Sequence, residues 1–152
     1  TENAIRAGLR TVRHPARFEI LSYEGLPVVV DGAHNPAGMR ALRAGLDAYF
    51  PDLPRVFLLG ILKDKDIDAM LAALLRPGDR VVTVRPDSER AAGADVVAAV
   101  AAGMGLDTLA CSDVQTGLAE AEARARADHA LLVAAGSLYL VGGIRSLLAE
   151  GR

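Results

Sequence analysis

The sequence predicts an α/β fold: a three-layer α/β/α domain of about six strands, mostly parallel, with an antiparallel first strand. Three observations predict it. Short apolar runs alternate with amphipathic or alanine-rich stretches of helical length, the pattern of βαβ crossovers. The first two apolar runs are separated only by Glu24-Gly25, so they pair as a hairpin. Finally, 51% of the 152 residues are hydrophobic, which suits one domain with a sheet buried on both faces.

Arg17 to Tyr23 alternates polar and apolar residues as a half-exposed strand does, and Leu26 to Val30 follows the turn. A helix is expected from Pro36 to Tyr49, ended by Pro51 and Pro54. Arg55 to Gly60 reads as a short buried strand, and the charged loop Lys63-Asp64-Lys65-Asp66 leads into a helix from Ile67 to Leu75. Asp79 to Val84 is the next strand, with a helix from Gly93 to Met104 after it. Asp107 to Cys111 is a weaker strand, and Ser112-Asp113 caps a helix from Val114 to Ala127. His129 to Ala134 is the last strand, and Gly136-Ser137 opens a final helix running to the end. Together these elements describe a Rossmann-like domain over residues 13–152. Thr1 to Val12 reads instead as a linker, which suggests that the chain is the C-terminal part of a longer protein.

Composition removes several function classes. A formal charge of −2 and a pI near 5.9 leave no basic footprint for nucleic acid. Cys111 has no second cysteine to pair with, which fits a reducing cytoplasm. No signal-peptide pattern is present, and glycines break Ala130 to Ile144 well short of a bilayer span. The expectation is a soluble cytoplasmic domain.

Candidate ligand-handling residues cluster after predicted strands. Asp31-Gly32-Ala33-His34-Asn35-Pro36 places an acid, an imidazole and an amide in one strand-to-helix turn. The same residues suit a plain connection in which Asp31 and Asn35 cap the helix, Gly32 turns and Pro36 starts it. Arg17, in Arg13-His14-Pro15-Ala16-Arg17, offers a planar cationic fork for phosphate or carboxylate, or is a solvated arginine at a strand start. Lys63 to Asp66 offers a cation for an anionic group, or is a solvated loop. Ser137 caps the last helix, and its hydroxyl and backbone N–H also suit a ligand. If the sheet is parallel, these loops open on one crevice.

Several fingerprints are missing. There is no Gly-x-Gly-x-x-Gly for a dinucleotide, no P-loop, and no metal-ligand spacing of His, Cys and carboxylates. Cys111 reads as a buried apolar residue, and His129 as structural at the start of an apolar strand.

Asp31 to Pro36, Gly60-Ile61-Leu62-Lys63-Asp64-Lys65-Asp66 and Gly136-Ser137-Leu138-Tyr139-Leu140-Val141-Gly142 resemble the C-terminal domain of folylpolyglutamate synthase/dihydrofolate synthase, within the Mur ligase superfamily. The likeness runs over nearly the whole chain. Two positions depart from the pattern: His14-Pro15-Ala16-Arg17 stands where the family has Trp-Pro-Gly-Arg, and Gly143 where it often has glutamate.

The resemblance implies an ATP-dependent ligase that activates a folate carboxylate as an acyl phosphate for attack by L-glutamate. Its P-loop and Mg²⁺ ligands lie in an N-terminal domain that is not in this chain. It implies that Arg17 reaches the ATP phosphates, that Asp31 contacts the ribose, and that His34 lies near the phosphates with Asn35 beside it. Lys65, with Lys63 as the neighbouring alternative, and Ser137 with Leu138 take the glutamate. The family works as a monomer. Two alternatives remain, a cell-wall precursor ligase domain and a non-catalytic Rossmann-like module binding a small anion.

Overall fold

The structure, a computed structural model, describes residues 17–151. The expected linker 1–12 and His14 lie outside the described residues. Six strands form one sheet in the order β1-β2-β6-β3-β4-β5. They are β1 (Glu19–Tyr23), β2 (Leu26–Asp31), β3 (Arg55–Leu59), β4 (Arg80–Thr83), β5 (Asp107–Ala110) and β6 (Leu131–Ala135). Only β1 is antiparallel, pairing with β2 in the register Glu19 to Val30 through Tyr23 to Leu26. The other four pairings are parallel.

Among the described residues, five helices cover the sheet: α1 (Pro36–Tyr49), α2 (Ile67–Leu74), α3 (Ala94–Gly103), α4 (Val114–Asp128) and α5 (Leu138–Glu150). Strand periodicity decides which side chains meet which helices. Val29, Phe57, Leu59, Val81, Leu131 and Val133 point to one face, onto Met39, Leu42 and Leu46 of α1, Met70 of α2 and Val97 of α3. Val28, Val30, Val56, Leu58, Val82 and Leu132 point to the other, onto Leu118 and Ala121 of α4 and Val141 and Ile144 of α5. Strands buried on both faces read as continuous apolar runs, and β3 and β6 are buried at every position. Each large side chain so buried contributes about 1.5–3 kcal/mol of transfer free energy.

The predicted elements stand, with ends moved by a residue or two. One placement changes: His129 is not in β6 but caps α4, exposed and left-handed at φ 50°, ahead of Ala130 and Leu131. Cys111 is buried just past β5, and burial pushes its thiol pKa up, as befits an apolar role.

The order places β6 between β2 and β3. From the carboxyl ends of these three neighbours, α1 and α2 leave to one face and α5 to the other. Strand connections diverging to opposite faces open a crevice at that edge, where open α/β sheets bind ligands.

Candidate functional site

Three loops form the crevice: 32–35 after β2, 60–66 after β3 and 136–137 after β6. Their backbones are joined directly. The Gly136 N–H donates to the Ala33 carbonyl at 3.1 Å, and the Gly60 N–H to that of Ala135 at 3.3 Å. Gly136 has φ 120°, and a Cβ there would stand 2.5 Å from the Gly60 carbonyl oxygen. Only glycine permits both the conformation and the approach.

Because β1 is antiparallel, its start lies at the same edge, so Arg17 arrives beside the β2 loop. The Phe18 N–H donates to Asp31 Oδ2 at 3.0 Å, and the Ala33 N–H to Asp31 Oδ1 at 2.8 Å. Asp31 therefore does not cap α1, as the sequence reading allowed; it ties the entry of β1 to the turn after β2. Burial pushes its carboxyl above the usual carboxylate range, against the pull of the two amides and of the Arg17 guanidinium. Asn35 alone is the cap, its Oδ1 accepting from the Gly38 N–H at 2.7 Å, with Pro36 in the first turn. His34 is exposed, and its Nδ1 lies 3.0 Å from the Gly32 carbonyl. A carbonyl can only accept, so Nδ1 carries the proton and Nε2 faces outward.

The β3 loop is held from behind. The Lys63 N–H donates to the Arg90 carbonyl at 2.7 Å, and Arg90 pairs with Asp64 at 2.9 Å. That hydrogen bond lowers the Asp64 pKa. Asp66 caps α2 through the Ala69 N–H at 3.1 Å. With Asp64 and Asp66 so engaged, Lys63 is left exposed and Lys65 half-buried. On the third loop, Ser137 is 1% exposed and its Oγ accepts from the Leu140 N–H at 3.1 Å. Its hydroxyl hydrogen remains to be donated. Leu138 and Tyr139, next along, are 63% and 52% exposed.

All the expected site residues thus border one sheet edge. The N-termini of α1 and α5 open there, and neither first turn carries an acidic residue. The N-terminus of α2 opens at the same edge but carries Asp68 in its first turn. Two helix N-termini with Arg17 and the loop lysines favour negative charge in the crevice. Among the described residues, no group of three or more His, Cys, Asp or Glu is placed to hold a metal ion. Sequence reading missed the part of Phe18, whose positive φ has no signature in residue type.

Residues 16–137 match the family described as Mur ligase, glutamate ligase domain. The chain belongs to that family. It is 40% identical over 95% of its length to a probable bifunctional folylpolyglutamate synthase/dihydropteroate synthase of Halobacterium salinarum, of which it covers 17%. It is 35% identical over its full length to folylpolyglutamate synthase of Lacticaseibacillus casei, of which it covers 34%. Among solved structures, folylpolyglutamate synthase of Mycobacterium tuberculosis complexed with ADP superposes with a TM-score of 0.83 at 32% identity. That match covers 97% of this chain and 35% of the other. The chain therefore spans between 17% and 35% of the length of these relatives. The fold and family expected from the motifs of the Mur ligase domain are those observed. No described helix is long and apolar enough to cross a membrane.

Proposed function

We propose that this chain is the C-terminal domain of an ATP-dependent amide ligase that adds L-glutamate to a folate, in tetrahydrofolylpolyglutamate or dihydrofolate synthesis. The observation that carries the reading is the convergence of Arg17, the Asp31–Asn35 turn, the Lys65 loop and the α5 N-terminus on one edge of a Mur ligase domain. That edge favours two anions, a nucleotide phosphate and an amino-acid carboxylate.

In this reading the γ-phosphoryl group passes from ATP to a folate carboxylate, releasing ADP. The glutamate amino group then attacks the acyl carbon, phosphate leaves, and an amide remains. Arg17 offsets charge on the transferring phosphoryl group, where preorganised cations act most strongly. His34 Nε2 and Asn35 lie beside the phosphates. Asp31 accepts a ribose hydroxyl with the lone pairs its two backbone amides leave unused. Lys65 attracts the glutamate carboxylate, and the N-terminus of α5, with Ser137 and Leu138, receives it. Mg²⁺ would supply charge neutralisation at the ATP phosphates, and its ligands belong to the P-loop domain preceding this one. The working protein is a cytoplasmic monomer containing both domains.

A cell-wall precursor ligase shares this architecture with a different acceptor, but the likeness to folylpolyglutamate synthases favours folate. The test is glutamate-dependent ADP release by the full-length protein with MgATP and either dihydropteroate or a reduced folate. Activity that falls about 10²-fold or more in Arg17→Ala and Lys65→Ala supports the reading. Activity with a cell-wall precursor and neither pterin overturns the substrate. The isolated domain turns over no ATP, and turnover above background would contradict the proposed division of labour.

A further inference from the structure

Arg17 is followed by a residue in an unfavourable backbone conformation. Phe18 has φ 44°, the left-handed region that bulky side chains avoid. Two contacts hold it there. Its N–H is tied to Asp31 Oδ2 at 3.0 Å. Its ring lies on α1, with its centroid 5.6 Å from that of Tyr49, and it covers Gly45. A Cβ on Gly45 would stand 2.7 Å from Phe18 Cε2 and 3.1 Å from Cδ2. Glycine within a helix is otherwise disfavoured, so the seat for this ring is a physical reason for it at position 45.

We propose that Phe18, seated on Gly45 and Tyr49 and tethered to Asp31, is a positioning residue that sets where the Arg17 guanidinium stands in the crevice. The inference rests on the reading of Arg17 given above. The bend at Phe18 determines the direction in which the chain presents its neighbour. A guanidinium on a long flexible stem is useful for transfer only if its root is held, and a displacement of about 1 Å can cost about 10²-fold in rate. The effect therefore falls on the chemical step and spares substrate binding.

The test compares variants of the full-length ligase in glutamate-dependent ADP release. Gly45→Ala gains helix propensity in α1, which offsets part of the packing lost as the new methyl pushes the ring from its seat, and its melting temperature shows whether it folds. The expected result is a fall in kcat of about tenfold or more, with KM for glutamate and MgATP within about twofold of wild type. In an Arg17→Ala background, the same substitution changes kcat by less than about twofold, since the group it displaces is gone. Tyr49→Ala, at an exposed position, removes one wall of the seat and gives a smaller fall with the same dependence on Arg17. It carries the test if Gly45→Ala does not fold. Wild-type kcat in Gly45→Ala, or in Tyr49→Ala where that variant carries the test, alongside an impaired Arg17→Ala overturns the proposal and leaves the Arg17 reading intact. A loss undiminished in the Arg17→Ala background marks a merely structural effect and also overturns it. Full activity of Arg17→Ala refutes the Arg17 reading itself, and the proposal with it.

Discussion

Alanine at position 136 is expected to destabilise this domain more than alanine at position 142, although both replace a glycine six residues apart. At Gly136 the backbone has φ 120°, a region that costs a non-glycine residue about 1–3 kcal/mol. The added Cβ also lies 2.5 Å from the Gly60 carbonyl oxygen and 3.0 Å from Ile61 Cγ1. The first of these atoms is backbone and cannot swing aside. Relieving the contact separates the loops after β6 and β3, which weakens the hydrogen bonds Gly136 N–H to Ala33 and Gly60 N–H to Ala135. Each is worth about 1 kcal/mol net. The total is about 3–5 kcal/mol, or roughly 10 °C in melting temperature for a domain of this size. Gly142 lies within α5, and a Cβ there meets nothing within 4 Å. Alanine at that position should stabilise by about 0.5–1 kcal/mol through helix propensity. Urea denaturation followed by far-UV circular dichroism reads both variants. A Gly136→Ala domain within about 1 kcal/mol of wild type would refute the claim that this close approach shapes the crevice.

Asp79 is 7% exposed and its Oδ2 accepts from both Arg43 Nη1 and the Arg76 N–H at 2.8 Å. Asp79→Ala leaves the Arg76 N–H without its acceptor and Arg43 with only Asp47 and the Leu74 carbonyl, and should cost about 2–3 kcal/mol in urea unfolding. Ser137→Ala removes the α5 cap and should cost about 1 kcal/mol. If the hydroxyl also meets glutamate, KM for glutamate rises in the full-length enzyme, and an unchanged KM would limit Ser137 to capping. Asp113 caps α4 through the Thr116 N–H, and that hydrogen bond lowers its pKa below the ordinary 3.8. Its ionised form therefore adds stability above pH 3.8, which is lost as pH falls through the lowered value. The stability difference between wild type and Asp113→Asn should shrink over that acid range, and a constant difference would contradict the cause assigned.

Much of the fold could be read in order along the chain because its signals are local. Asn35-Pro36, Asp66, Asp113 and Ser137 each mark a helix start, and side-chain oxygens of all four accept the hydrogen bonds expected of a cap. Asp31 shows where local reading fails. In sequence it looks like a second cap of α1, yet its oxygens go to Ala33 and, across the hairpin, to Phe18 thirteen residues earlier. His129 reads as the start of a strand because apolar residues follow it, whereas α4 runs on to Asp128 and His129 ends it in a left-handed turn.

The element types, the two-faced burial of the strands and the motifs that mark the family are legible along the chain. These depend on periodicity and turn chemistry, which act over a few residues. The folded arrangement alone reveals that β6 inserts between β2 and β3, that Gly136 packs against Gly60, and that the Phe18 ring seats on Gly45. Those relations join residues remote along the chain. They are set by which apolar faces bury one another and which backbones can approach, and no short stretch of sequence encodes either.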